Sequence, residues 1–196
     1  MKTIAVTGQK GGVGKTTLAV HIAENLHRTL NVPVSLIDRD PQQAAARWGA
    51  AFGLPGADLK TPLGAAVRER KEAGDAFCVI DTAPSIGGAF KDIHSVADIV
   101  LLPTQASMLD ITSLGTALGA LRATYPALRI FAVLNQIDER LVITREAVAG
   151  LDAAEVPQFA THIMRRTGYT RAALTAVYPH PEIDALVREI RNHLAK

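Results

Sequence analysis

The chain has 196 residues, 48% of them hydrophobic and 5% aromatic, with 21 basic side chains against 19 acidic ones. That length and balance suit one α/β domain spanning residues 1–196, and a net charge of +2 is too small to argue nucleic-acid binding by itself. A single cysteine, Cys78, excludes an intrachain disulfide and a multi-cysteine metal site, and no apolar stretch approaches the length of a membrane span.

The first predicted strand, 3–7, leads directly into Gly8-Gln9-Lys10-Gly11-Gly12-Val13-Gly14-Lys15-Thr16-Thr17. This is one residue away from the phosphate-binding pattern G-x-x-x-x-G-K-[ST], because Gln9 stands where the first glycine belongs. Gly11, Gly12 and Gly14 can adopt backbone angles closed to other residues, so consecutive N–H groups can converge on an anion. A helix over 16–30, with Leu18, Ile22 and Leu26 on one face, brings its positive N-terminal end to the same point. In such a loop Lys15 reaches the β- and γ-phosphates and the Thr16 hydroxyl holds Mg²⁺. The expected nucleotide contacts are Gly11, Gly12, Val13, Gly14, Lys15, Thr16 and Thr17. A glycine-rich turn with incidental lysines is the plainer alternative. A dinucleotide fingerprint would need Gly or Ala where Thr17 stands. The leading segment holds this loop rather than a signal peptide, so the cytoplasm is the expected compartment.

Further strands are predicted at 34–38, 77–81, 98–102, 129–134 and 158–161. Helices are predicted at 42–52, 62–73, 107–123, 143–153, 166–176 and 181–195. Continuous apolar strands separated by helices indicate a mostly parallel, twisted sheet with helices on both faces, and ligands of such sheets bind beyond the carboxyl ends of the strands. Gly53-Leu54-Pro55-Gly56 reads as a surface loop and Cys78 as a packed strand residue. Two strand ends are acidic: Asp38-Arg39-Asp40-Pro41-Gln42, and Asp81-Thr82-Ala83-Pro84-Ser85. Asp81 suits a Mg²⁺ anchor acting through water. Pro41 ends its strand and leaves Asp40 free to orient an attacking water, with Asp38 a further candidate for Mg²⁺ through water. Turn capping is the plainer reading of each aspartate.

KGGVGKT, DRDPQ and VIDTAPS, in this order, resemble the ParA-type partition ATPases of the deviant Walker A group, which also includes MinD. The resemblance implies a P-loop fold that uses ATP and Mg²⁺ and forms a nucleotide-sandwich homodimer. Lys10 would be the group's additional lysine, contacting the phosphates held by the opposite subunit. Lys10, Lys15 and Asp40 would be the catalytic residues, and Gln9 is common in the ParA branch. The resemblance continues in Val100-Leu101-Leu102-Pro103-Thr104 with Asp110, and in Val133-Leu134-Asn135-Gln136-Ile137-Asp138, whose Asn135 would touch adenine. It extends to Ile163-Met164-Arg165-Arg166 with Tyr169 and Ala172. Arg39 is bulkier than is usual between the two aspartates, and Ala176-Val177-Tyr178 stands where many members have a glycine turn. With no DNA-reading domain ahead of the loop, the chain resembles the short ParA class.

Members of that class bind DNA without sequence preference as ATP dimers, implying a nucleoid-associated protein stimulated by a ParB-like centromere-binding partner. From 161 onward there are six basic residues against three acidic ones. Arg165, Arg166, Arg171, Arg188 and Arg191 are the candidate DNA contacts, a solvated helix face being the alternative. The apolar side of 181–195 would be a membrane anchor in a MinD-like protein, but its polar side is mixed in charge and core packing is expected instead. The six histidines form no metal-ligand spacing. Plasmid or chromosome partition is the leading expectation. Positioning of a protein cargo by the same switch is the alternative, and a small-molecule kinase or ligase a remoter one.

Overall fold

The computed structural model describes residues 1–84, 87–172 and 180–196, with backbone alone for 87–89 and 170–172. Ser85 and Ala176-Val177-Tyr178 lie outside the described residues. The elements are β1 (Lys2–Val6), α1 (Lys15–Leu30), β2 (Val34–Asp38), α2 (Ala44–Ala51), α3 (Leu63–Glu72), β3 (Phe77–Asp81) and α4 (Gly87–Ile93). They continue with β4 (Ile99–Thr104), α5 (Met108–Thr124), β5 (Ile130–Ile137), α6 (Val142–Ala153), β6 (Ile163–Met164), α7 (Thr167–Ala172) and α8 (Pro181–Leu194).

The six strands form one sheet in the order β2-β3-β1-β4-β5-β6, and every pairing is parallel. Side chains alternate between its two faces. Ile4, Val6 and Val79 pack with α1, α2 and α8, whereas Ala5, Cys78 and Ile80 pack with α3, α4, α5 and α6. Each fully buried Ile or Leu contributes about 1.5–3 kcal/mol of transfer free energy. Such a two-sided core explains why the strands read as unbroken apolar runs. From β1 the chain crosses to one side of the sheet and from β3 to the other, so the carboxyl ends of β1 and β4 border a crevice, the usual ligand position in this architecture.

Three expectations need correction. The strand expected at 158–161 is only a single bridge between Gln158 and Ala132, and β6 proper is Ile163–Met164. The reason is Glu189 of α8. Its carboxylate accepts the N–H groups of Ala160 and Thr161 at 2.9 Å each, drawing that stretch off β5. The segment 53–56 is more than a surface loop. Leu54 is buried, and the Pro55 carbonyl accepts from Leu36 N at 2.8 Å, so it covers the outer edge of β2. Helix α4 was not anticipated, because Gly87-Gly88 at its start speaks against helix, while Phe90 and Ile93 bury themselves from it.

Helix α8 buries Ile183, Leu186, Val187, Ile190 and Leu194 in the core beside α1. Its apolar face is therefore occupied within the domain. No described helix is long and apolar enough to cross a membrane.

Candidate functional site

The Gly8–Thr17 loop leaves β1 at the carboxyl edge and ends as the first turn of α1. Gly14 is the residue before that helix, with φ +90°, and Gly12 has φ +75°; both lie in the left-handed region. A Cβ on Gly14 would fall 2.5 Å from Asn135 Nδ2, so the position needs glycine for space as well as for its backbone angle. The end of β5 fastens the loop from behind. Asn135 donates to the Val13 carbonyl at 2.6 Å, and Gln136 donates to the Gly12 carbonyl at 3.0 Å. Gln136 adopts φ +57° and is held in turn by Gln105 at 2.8 Å.

The two loop lysines occupy opposite environments. Lys15 is buried, and its ammonium donates to the Lys10 carbonyl at 2.8 Å, lying across its own loop. Burial lowers its pKa, while Asp81 and Asp40 oppose that shift. Lys10 points outward, its side chain 55% exposed, and is held by both oxygens of Asp110 at 2.9 and 3.0 Å.

Beneath the loop, the Thr16 hydroxyl donates to Asp81 Oδ2 at 2.7 Å. Asp81 is completely buried, and its Oδ1 has no hydrogen-bond partner. Burial raises its carboxyl pKa to about 7; Asp38 pushes the same way, against the Thr16 hydrogen bond and the Lys15 charge. A hydroxyl beside a buried carboxylate with one oxygen unpartnered is a hard-oxygen pair that fits Mg²⁺, an ion that keeps several waters and needs few protein ligands. Asp38 pairs in register with Asp81 but is differently engaged. Its oxygens accept Asp40 N at 2.8 Å and Ala46 N at 3.0 Å, so it shapes the turn and caps α2.

Asp40 lies close enough to Lys15 to act on its charge, and one of its oxygens accepts Gln42 N at 2.9 Å. Gln43 steadies the turn by donating to the carbonyls of Asp38 and Asp40 at 3.1 Å each. Arg39, out of place by sequence, folds back to donate to the carbonyls of Leu59 and Thr61 at 2.9 Å each and leaves the site open.

A cavity of about 420 Å³ opens beside the loop, between Gly14 and Thr17 on one side and Ile163, Met164, Tyr169 and Ile183 on the other. Asn135 lines it, yet both ends of its amide serve the protein, since its Oδ1 accepts Gln136 N. It fixes the loop, and its second amide hydrogen is left for an occupant of the cavity. Trp48 also lines this cavity, a contribution the sequence reading missed; the signal was an aromatic one helical turn beyond the DRDPQ turn.

The four candidate DNA-contacting arginines with described side chains do not form one patch. Arg165 and Arg166 border the cavity at the carboxyl edge, and Arg166 pairs with Glu182 at 2.7 Å. Arg188 and Arg191 are exposed at the amino edge, where they line an open depression with Lys2 and Phe77. The Arg171 side chain lies outside the described residues.

A maintenance of carboxysome distribution protein A from Halothiobacillus neapolitanus is 32% identical over 186 residues, covering 89% of this chain and 85% of that protein. Among solved structures, a plasmid partition protein from Borrelia burgdorferi has a TM-score of 0.71 at 18% identity, over 97% of this chain and 98% of that one. Cobyrinic acid a,c-diamide synthase from Mycobacterium smegmatis, with a bound ATP analogue and magnesium, gives 0.69 at 20% identity, over 100% of this chain and 94% of that one. At these identities the two structures speak for the fold alone. The family model for the CobQ/CobB/MinD/ParA nucleotide binding domain matches residues 4–177, and the chain belongs to that family.

Proposed function

We propose that this protein is a Mg²⁺-dependent ATPase acting as a two-subunit switch that positions a cargo over DNA. The observation that carries the reading is the contrast between Lys15 and Lys10. A lysine that serves its own nucleotide belongs inside its own loop, as Lys15 is. Lys10 projects outward from the same loop on an exposed ion pair, which supports a role toward phosphates held by another copy. Positive charge delivered in this way stabilises the transition state of phosphoryl transfer.

In this reading Gly11, Gly12, Val13, Gly14 and Thr17 surround the phosphates. Thr16 and Asp81 hold Mg²⁺, which neutralises phosphate charge when bound, and Asp40 orients the attacking water. The Thr16–Asp81 hydrogen bond and the unpartnered Asp81 Oδ1 support this pairing. Met108 and Leu109 next to Asp110 at the start of α5, and Leu141, Val142 and Ile143 at the start of α6, are all more than two-fifths exposed. An apolar surface there supports contact with a second copy.

Arg188 and Arg191, joined by Lys2, form the exposed basic group at the amino edge that supports contact with DNA, while Arg165 and Arg166 stand at the opposite edge beside the cavity. Two such patches fixed in a dimer bind DNA more tightly than one, without base recognition. That arrangement implies nucleoid association. Partition of a plasmid or chromosome with a ParB-like partner, and positioning of a protein assembly, use the same switch. The 32% identical carboxysome relative favours the protein assembly as cargo.

The test is light scattering coupled to chromatography on wild type and Asp40→Ala, with Mg-ATP and with Mg-ADP. Asp40→Ala should persist as a dimer in Mg-ATP and be monomeric in Mg-ADP. Monomers throughout, with normal turnover, would overturn the switch.

A further inference from the structure

We propose that Trp48 is a specificity-determining residue of this site: its indole forms one wall for the base of the nucleotide and joins base recognition to the turn that carries Asp40. The proposal rests on the nucleotide reading above and adds to it a residue on a different element from the loop and from β5.

Trp48 is half-buried on α2, lines the cavity beside Gly14 and Thr17, and packs on the core cluster under α1. Its ring stands edge-on to His21, with centroids 5.4 Å apart and planes at 88°. The indole Nε1 is buried and has no hydrogen-bond partner. His21 Nδ1 lies 2.7 Å from the Thr17 carbonyl, which can only accept, so Nδ1 carries the proton and Nε2 is a bare acceptor. That Nε2 is also buried and unpartnered. A donor and an acceptor therefore stand close together without meeting.

Neither nitrogen is exposed to the cavity, so what the half-buried indole offers an occupant is its carbon surface. The occupant that suits such a wall is flat and aromatic, so that it can stack on the ring. A nucleobase has that property. The cavity opens beside Gly14 and Thr17, so a base attached to phosphates in the loop has a short path to Trp48.

The link to the turn is mechanical. Helix α2 begins at Ala44, and Ala46 N is held by Asp38 Oδ2 at 3.0 Å. Gln43, just before the helix, bonds the carbonyls of both Asp38 and Asp40. An indole seated on a base therefore fixes the helix from which the Asp40 turn hangs. A triphosphate without a base fills the loop and leaves that helix unsupported.

Trp48 is the one tryptophan of the chain, so its emission reports this wall alone. The experiment titrates wild-type protein with Mg-ATP and with Mg-tripolyphosphate, following Trp emission and, separately, heat of binding. Mg-ATP should alter emission with the same saturation as the heat, while tripolyphosphate should give heat without the emission change. Trp48→Phe should keep ATP affinity within about threefold, whereas Trp48→Ala should lose about tenfold for ATP and nothing for tripolyphosphate. Calorimetric binding of ATP with unaltered emission would overturn the proposal, as would an equal loss of both ligands in Trp48→Ala. An absence of calorimetric ATP binding in wild type would instead overturn the nucleotide reading, and this inference with it.

Discussion

The two edges of the sheet carry charge in opposite ways. At the carboxyl edge Lys15, Asp38 and Asp81 are at most 5% exposed and each is placed by hydrogen bonds to a loop or a helix end. At the amino edge Lys2, Arg188 and Arg191 stand exposed around an open depression. Buried charge is strong and geometrically defined, whereas exposed charge is screened and tolerant of geometry. The first arrangement suits one small polyanion and its metal. The second suits a long polymer, bound by counterion release rather than by shape.

The largest expected effect comes from breaking the buried edge. Lys15→Ala should weaken ATP binding to the monomer on the order of 100-fold, measured by titration with a labelled nucleotide, because a charge-assisted contact in a dry site is lost. Lys10→Ala should leave that affinity nearly unchanged and abolish ATP-dependent dimerisation. Equal losses in the two variants would remove the distinction between the lysines. Gly14→Ala should resemble Lys15→Ala, since the new methyl carbon meets Asn135 in a backbone conformation that costs about 1–3 kcal/mol for an L side chain.

Next in size is the separation of binding from turnover. Asp40→Ala should bind Mg-ATP within a few-fold of wild type yet hydrolyse it about 100-fold more slowly, as a phosphate-release assay would show. Asp81→Ala should lose the dependence of binding on Mg²⁺. Normal turnover in Asp40→Ala would place the water-orienting role elsewhere.

At the open edge a single change should do little. Lys2→Glu, Arg188→Glu and Arg191→Glu together should lower DNA affinity at least about tenfold at low salt, seen by fluorescence anisotropy, while sparing ATP binding and dimerisation. A loss of ATP binding in this triple variant would show that the two edges are not independent.

The smallest effect at neutral pH is expected from His21. Burial lowers its pKa to about 4 from an ordinary 6.5, the neighbouring His180 adds to that, and the Thr17 carbonyl opposes it. Trp48 and Tyr169 complete its surroundings. The unfolded chain takes up a proton below 6.5 and the folded chain only near 4, so stability should fall as pH drops through that window, by about 3 kcal/mol in all. Above pH 7 nothing is lost. His21→Gln should flatten denaturant midpoints between pH 6.5 and 4; an unchanged slope would assign the acid sensitivity to other groups.

Much of the carboxyl edge could be read from the chain because its chemistry is local. Gly11 to Thr17 are contiguous, and Asp81 follows its own apolar strand. What escaped depended on contacts far apart in sequence. Trp48 joins the cavity only because α2 packs on α1, and Asn135 supports Val13 across 122 positions. Glu189 unmade a predicted strand from another helix altogether. The arginines of the last third looked like one cluster because sequence proximity hides the fact that β6 and α8 expose opposite edges. Asp38 was legible as a further Mg²⁺ candidate, but the two backbone N–H groups it accepts, from Asp40 and Ala46, could not be read from spacing.

The tethers behind the glycine loop have a further result. The carbonyls of Lys10, Gly12 and Val13 accept from Lys15, Gln136 and Asn135 respectively. A peptide chain is electrically neutral and normally offers donors and acceptors in equal number. With these lone pairs drawn off by side chains, what the loop presents is weighted toward N–H groups. A segment without net charge of its own thereby gains a sign, and its preference for anions is written into which of its atoms are left over.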